Sequence, residues 1–296
     1  MEVDGVFSGG GVKAFAFLGA IDVCEKKNIE FTRVAGSSAG ALIASLVKAG
    51  YKYEELYHML DDVDLKEFLD QPFWMKNVPL LKWLLLYYRM GLYKGDALEN
   101  WIDEKLQKKG LRTFGDLPDK ALTIIGTDLT NGRMAVFPND LSKVYGINPK
   151  DFSIAKAVRM SASIPYFFQP VTIQKSKHQK SLIVDGGVLS NFPYWVFNQK
   201  SELKARPSIG IKLNANYSSI PKQKVNNSVD LLHALFLTML QAHDARHISK
   251  DNAKDIIFIP IKDIHATNFE LSKEEKSYLI EVGRLKANAF FKKWSG

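Results

Sequence analysis

Short apolar runs alternate with apolar positions at helical spacing along the first fifty residues, and that alternation sets the expected fold. Val3 to Phe7 is a short apolar run ahead of consecutive glycines and predicts a buried strand. Val12 to Asn28 keeps helical periodicity and ends in a strongly polar stretch, which predicts a helix. Phe31 to Gly36 predicts a second strand, and Ala39 to Gly50 a second helix closed by Gly50. Strand, glycine turn, helix, strand, tight turn, helix is the pattern of a parallel α/β sheet.

The period then changes. Residues 53–108 read as helical almost throughout, interrupted by the segment 71–95. Residues 121–138 return to strand character, and Asn131-Gly132 suits the turn of a hairpin. Ser153 to Ser163 predicts a helix that ends before Pro165. Ser181 to Gly187, Ser208 to Leu213 and Asp255 to Ile261 predict further strands, and 228–250 a long amphipathic helix. Residues 214–227 are a polar loop. The last segment, from Leu271 to Trp294, opens with Ser272 three residues before Glu275, the spacing of a capping box, and continues as helix. No repeat, low-complexity tract or linker breaks this order. The expectation is one α/β domain over residues 1–296, with a mainly parallel central sheet flanked by helices and a helical cap insertion at about 53–108.

Composition narrows the class. The 296 residues are 46% apolar, enough to bury a core without disulfides and too apolar for disorder. The formal charge of +8, from 40 basic and 32 acidic residues, is compatible with an anionic surface, with nucleic acid, or with ordinary solubility. Cys24 is the single cysteine, so no intrachain disulfide can form; its apolar, helix-spaced neighbours predict a core position. The first residues lack a basic stretch followed by an apolar run, so no signal peptide is expected. The longest apolar cluster, Val78 to Tyr88, is broken by Lys82 and too short to span a bilayer. The chain reads as cytoplasmic.

Three motifs carry candidate chemistry. Gly36-Ser37-Ser38-Ala39-Gly40 is G-x-S-x-G between an apolar strand and an apolar helix. A nucleophile on such a sharp turn needs small neighbours, and the helix behind it adds partial positive charge. Gly9-Gly10-Gly11, between the first strand and the first helix, exposes backbone N–H groups that can hold a phosphate or an oxyanion. A nucleotide loop would need Ser or Thr after Lys13, where Ala14 stands. A dinucleotide loop survives weakly, with Ala14 in place of the third glycine. An oxyanion hole built on Gly10 and Gly11 fits a nucleophile at the next strand-to-helix turn. Asp185-Gly186-Gly187 ends an apolar strand. Its carboxylate is expected at the same sheet edge as the first two motifs, although the tripeptide alone also reads as a simple turn.

In that order the three motifs resemble the patatin-like phospholipase family, whose lipid acyl hydrolases use a Ser–Asp dyad. Ser161 to Val171, Asp185 to Pro193 with Asn191, and Phe269 to Ala287 are also similar to family segments, so the resemblance covers nearly the whole chain. It implies the family's three-layer fold, Ser38 as nucleophile, Asp185 as base, and Gly10 and Gly11 at the oxyanion hole. Gly9, Gly36, Gly40, Gly186 and Gly187 would be motif glycines. Ala14, where the family's glycine motif usually ends in Gly, is the departure. The implied substrate is a fatty acyl ester of a membrane lipid, with no metal, organic cofactor or nucleic-acid partner; the positive charge is compatible with peripheral contact to an anionic membrane surface.

Other features compete with this reading. His243 and His247 stand four apart like a degraded zinc motif, but two histidines on a polar helix face explain them as well. His233, His243, His247 and His265 follow Asp185 in the order a Ser–Asp–His triad requires. Residues 73–93 carry Trp74, Trp83, Leu84, Tyr87 and Tyr88 among Lys76, Lys82 and Arg89, which suits either a buried cap helix or a lid that binds acyl chains at a membrane. Lys13 either meets a headgroup phosphate or orients the glycine loop. The rival classes are a catalytically silent lipid-binding module and a nucleotide-binding protein.

Overall fold

In strand β1 (Glu2–Phe7) every residue from Val3 onward is buried, as a short apolar run in the middle of a parallel sheet requires. A 3₁₀ turn, Gly11–Ala14, leads into α1 (Phe15–Lys26). Strand β2 (Glu30–Ser37) runs parallel to β1 and feeds α2 (Ala39–Lys48). This computed structural model describes residues 1–70, 86–176, 179–197, 206–213, 252–261 and 264–294, with the single positions 225, 231, 234, 235 and 238.

The segment that follows holds α3 (Tyr53–Asp61), a 3₁₀ turn at Leu65–Leu69, a short strand β3 (Gly91–Tyr93) and α4 (Asp96–Lys108). Strands β4 (Leu122–Asp128) and β5 (Arg133–Phe137) form the hairpin read at Asn131-Gly132, and α5 (Asn139–Lys143) follows. Asp128 ties the hairpin turn by accepting from Asn131 N–H at 3.1 Å and Asn131 Nδ2 at 2.7 Å. Then come α6 (Ile154–Ser161), β6 (Tyr166–Phe168), β7 (Val171–Gln174), β8 (Lys180–Asp185) and α7 (Gly187–Ser190). Strands β9 (Ser208–Leu213) and β10 (Ile256–Ile259) and helix α8 (Lys273–Phe291) complete the described elements. Helix α8 opens with the expected capping box: Ser272 Oγ accepts Glu275 N–H at 3.1 Å, and Glu275 accepts Ser272 N–H at 2.8 Å.

The central sheet has the order β10-β9-β1-β2-β4-β8-β7, with β5 also paired to β4. From β10 to β4 all neighbours are parallel; β5 and β8 run antiparallel to β4, and β7 antiparallel to β8. A separate parallel pair, β3 with β6, lies off the main sheet. The periodicity did not expose β3, β6 and β7, because strands of three or four residues are too short to show a period. The helix expected at 228–250 is helical at 231, 234, 235 and 238; its remaining positions lie outside the described residues.

Helices α1 and α8 cross at backbone contact. A methyl group at Gly19 would stand 1.8 Å from Ile280 O, and one at Gly283 1.9 Å from Ala16 O. Arg284 Nε on α8 donates to Asp22 Oδ2 on α1 at 2.7 Å beside this crossing. Gly19→Ala is therefore expected to destabilise the protein by roughly 1–3 kcal/mol, because the helices must separate and lose packing along their length. Urea unfolding checks this.

Candidate active site

Two strands meet head-on along one edge of β4. The last residue of β2, Ser37, is paired with Ile125, and the last residue of β8, Asp185, with Gly126. Strand β5 already pairs with Ile124–Asp128. A strand has only two edges, so β8 shares the edge used by β2. Running in opposite directions, the two strands end at adjacent positions of β4. This corrects the expectation of a common sheet edge for all three motifs. Asp185 arrives from the opposite direction, and it meets the serine turn because β8 stops midway along β4.

At that junction Ser38 adopts φ 55° and ψ −130°, a conformation that L-residues rarely hold and that costs of order 1–3 kcal/mol. The turn is tight enough that a methyl group at Gly40 would lie 2.3 Å from Phe7 O. Ser38 N–H donates to Ser161 Oγ at 2.9 Å, and Ser161 Oγ–H donates to Ile125 O at 2.5 Å. Ser161 thus replaces the ladder bond that is lost where β2 leaves β4. No side chain caps α2, so among the described residues the N-terminus of that helix keeps its partial positive charge beside Ser38.

Ser38 Oγ–H donates to Asp185 Oδ2 at 2.6 Å. Asp185 is 1% exposed and Ser38 6%. The other carboxylate oxygen, Oδ1, accepts Gly187 N–H at 2.7 Å, and the Asp185 N–H donates to Ser163 O at 2.9 Å. Burial raises the Asp185 carboxyl from the ordinary range to about 7, against the opposing pull of the Ser38 and Gly187 hydrogen bonds.

The glycine loop lies against this pair. A methyl group at Gly9 would stand 3.1 Å from Ser38 Cβ. Three N–H groups of the loop are already engaged: Gly9 with Asn191 O at 2.9 Å, Val12 with Ala266 O at 2.9 Å, and Lys13 with Gly10 O at 3.3 Å. Gly10 and Gly11 N–H have no acceptor among the described residues. The structure therefore gathers Ser38, Asp185 and the three glycines, flanked by Gly36, Gly40, Gly186 and Gly187.

Other candidates fall elsewhere. His265 is exposed, and both Asp185 oxygens already have partners. His233, His243 and His247 lie outside the described residues. Lys13 is buried, and burial lowers its pKa. Trp74, Lys76, Lys82, Trp83 and Leu84 lie outside the described residues. The described end of that segment carries Tyr87 and Tyr88, 79% and 72% exposed, packed edge to face at 5.1 Å. No described helix is long and apolar enough to cross a membrane. No three His, Cys, Asp or Glu side chains gather as a metal site among the described residues.

Pattern reading missed two residues here. Ser161 was visible only as part of a family-like segment. Arg159 sits on α6 at 2% exposure, donating to Gly95 O at 2.9 Å, Gln169 O at 3.0 Å, Ser163 Oγ at 2.5 Å and Lys94 O. An arginine in an amphipathic helix normally signals the solvent face, so no sequence signal marked it.

Known proteins resemble this chain in sequence and in fold. A family model described as Patatin-like phospholipase matches residues 5–198. The protein YqhO of Bacillus subtilis (strain 168) is 47% identical over 295 residues, covering 100% of both chains. The cUMP-AMP-activated phospholipase of Escherichia coli is 27% identical over 195 residues, 62% of this chain and 54% of that protein. The crystal structure of VipD from Legionella pneumophila has the same fold, with a TM-score of 0.58 at 18% identity, covering 99% of this chain and 67% of that one.

The raised Asp185 carboxyl has a consequence for stability. Between the ordinary value of 3.8 and about 7, the folded protein holds a proton that the unfolded chain has released. Stability therefore falls as pH rises through that window, and the burial of the carboxylate is felt in full above it. Asp185→Asn removes this penalty. Its Tm at pH 8 is expected to exceed that of the wild type, by about 2–4 °C per kcal/mol recovered, with the gap closing toward pH 4. A lower Tm at pH 8 would mean that the carboxylate stabilises the fold.

Proposed function

Because the chain belongs to the patatin-like phospholipase family, we propose that it is a serine acyl hydrolase that cleaves fatty acyl esters of membrane lipids with a Ser38–Asp185 dyad. The observation that carries this reading is the 2.6 Å hydrogen bond from Ser38 Oγ to a buried Asp185. A serine hydroxyl needs a base in contact with it, and a carboxyl near 7 is half ionised at neutral pH yet basic enough to take the proton. Ser38 Oγ attacks the ester carbonyl carbon while its proton passes to Asp185 Oδ2. Gly10 and Gly11 N–H stabilise the oxyanion, helped by the N-terminus of α2. The tetrahedral intermediate expels the alcohol, which takes the proton from Asp185 and leaves an acyl-Ser38. Water, deprotonated by the same carboxylate, then releases the fatty acid.

Peripheral membrane contact belongs to the same proposal. Tyr87, Tyr88 and Met90 are exposed beside Arg89, and amphipathic aromatic rings with a basic neighbour suit the boundary between headgroups and acyl chains. One domain over residues 1–296, with the insertion at 53–108 acting as a cap over the site, completes the reading.

Ser38→Ala is expected to lower kcat by roughly four orders of magnitude or more while the protein stays folded, and to abolish fluorophosphonate labelling. A silent lipid-binding module would not label even as wild type. Asp185→Asn should lower kcat on the order of a thousandfold or more, whereas His265→Gln leaves it unchanged. For the wild type, kcat/KM on a soluble ester should fall with the ionised fraction of Asp185 below about pH 7, because the base must be deprotonated. A flat profile between pH 5 and 8 contradicts the assignment of Asp185.

The aromatic rim has its own test. Replacing both Tyr87 and Tyr88 by Ala should lower activity on anionic vesicles about tenfold and leave soluble-ester turnover unchanged. Equal loss on both substrates would assign these residues to packing.

A further inference from the structure

The glycine loop has little stiffness of its own. Three consecutive glycines carry the greatest backbone freedom of any residues, and oxyanion donors must be held to within about 0.5 Å to be effective. Contacts from outside the loop must therefore hold it, and several of these come from beyond residue 198, where the family match ends. Ser8 N–H donates to Ile211 O at 3.1 Å, and Leu213 N–H donates to Ser8 Oγ at 3.0 Å. Ser8 Oγ–H in turn donates to Gly9 O at 3.0 Å. These bonds fix the entry to the loop.

Its exit is fixed by the connection between β10 and α8. Ala266 O accepts Val12 N–H at 2.9 Å, and it lies so close to Gly11, at φ +57°, that a methyl group there would stand 2.0 Å from it. Two short-range bonds fold the connection on itself: Asn268 N–H to His265 O and Phe269 N–H to Thr267 O, both at 3.1 Å. The Phe269 ring stacks on Phe167 with centroids 5.2 Å apart at 15°, and meets the Phe168 edge at 6.4 Å. Phe167 also packs on Tyr93 at 4.8 Å, so the cluster lies on the β3–β6 pair.

We propose that residues 264–271 are a strap that positions the oxyanion donors, with Phe269 as its anchor. By stacking on Phe167, Phe269 sets the height of Ala266. The Ala266 carbonyl then takes Val12 N–H and presses on Gly11, leaving Gly10 and Gly11 N–H for the substrate. Phe269 touches no reacting atom; it is a positioning residue. This inference rests on the serine hydrolase reading for its kinetic consequence and on geometry alone for the placement of the loop.

The test uses the full chain with Phe269→Leu, Phe269→Tyr and Ala266→Gly. On a soluble short-chain ester, Phe269→Leu should lower kcat about tenfold or more with KM little changed, since an oxyanion donor acts mainly in the transition state. The pH midpoint should stay at the wild-type value because Asp185 is untouched. Phe269→Tyr keeps the stacked ring and should restore kcat. Hydrogen exchange at the Val12 amide should accelerate in the Leu variant, while the β1 amides keep their protection. Ala266→Gly loosens the strap without removing core volume. It should lower kcat and speed Val12 exchange even if Phe269→Leu does not fold. An unchanged kcat in a folded Phe269→Leu or Ala266→Gly variant overturns the proposal, as does a loss of kcat with Val12 still protected, or a shifted pH midpoint. If the wild type neither turns over ester nor labels with fluorophosphonate, the hydrolase reading fails. The Val12 exchange comparison still decides the strap.

Discussion

The head-on meeting of β2 and β8 along one edge of β4 is the constraint on which the rest of this structure depends. Each strand is held by its own ladder up to Ser37 and Asp185, opposite consecutive residues of β4. The chain must leave the sheet at both ends, and the two departures place Ser38 Oγ 2.6 Å from Asp185 Oδ2. A gap in a sheet normally leaves backbone groups unsatisfied. Here the Ser161 hydroxyl fills it, accepting Ser38 N–H and donating its own hydrogen bond to Ile125 O. The strained backbone of Ser38 persists because three ordered neighbours, β4, α2 and Ser161, hold it from different sides.

The chemistry of the pair follows from the same enclosure. Asp185 is buried almost completely, and burial rather than a neighbouring charge brings its carboxyl to about 7. In the proposed dyad, which has no imidazole, the carboxylate itself has to supply that basicity. The surrounding loop is arranged by elimination: Asn191 and Ala266 take the N–H groups of Gly9 and Val12, and two glycine N–H groups are left beside the serine. Donors without a partner in the resting protein are the ones that a developing oxyanion can use without breaking an existing bond.

Arg159 ties the chain at Lys94 and Gly95 to this centre. Its guanidinium is buried among the carbonyls of Lys94, Gly95 and Gln169, donates to Ser163 Oγ and lies 5.1 Å from the Phe168 ring. Burial lowers it to about 10, so it stays charged at neutral pH. A buried cation that donates four hydrogen bonds is held firmly, and removing any one carbonyl would be costly. The Ser163 carbonyl also accepts Asp185 N–H, so the arginine reaches the Asp185 backbone through one residue. The aromatic cluster of Tyr93, Phe167, Phe168 and Phe269 lies on the same β3–β6 pair.

Local pattern determined much of this protein. Val3–Phe7, Phe31–Gly36 and the helices after them were legible because run length and period are properties of neighbouring residues. G-x-S-x-G and Asp-Gly-Gly were legible because tight turns admit few residue types. What the sequence could not supply was direction and distance. Nothing local to Ser181–Asp185 records that β8 runs against β4, because direction is a relation between a strand and its partner and not a property of the strand's own residues. Nothing in its own helix marks Arg159 as buried, because two of the carbonyls that receive it lie 64 and 65 positions earlier in the chain. The Ala266 contact with the glycine loop spans more than 250 positions and rests on backbone atoms common to every residue type, so no composition could mark it. The residue types set which chemistry was available; only the tertiary structure decided which groups would meet, because contact across the sheet depends on strand order and register.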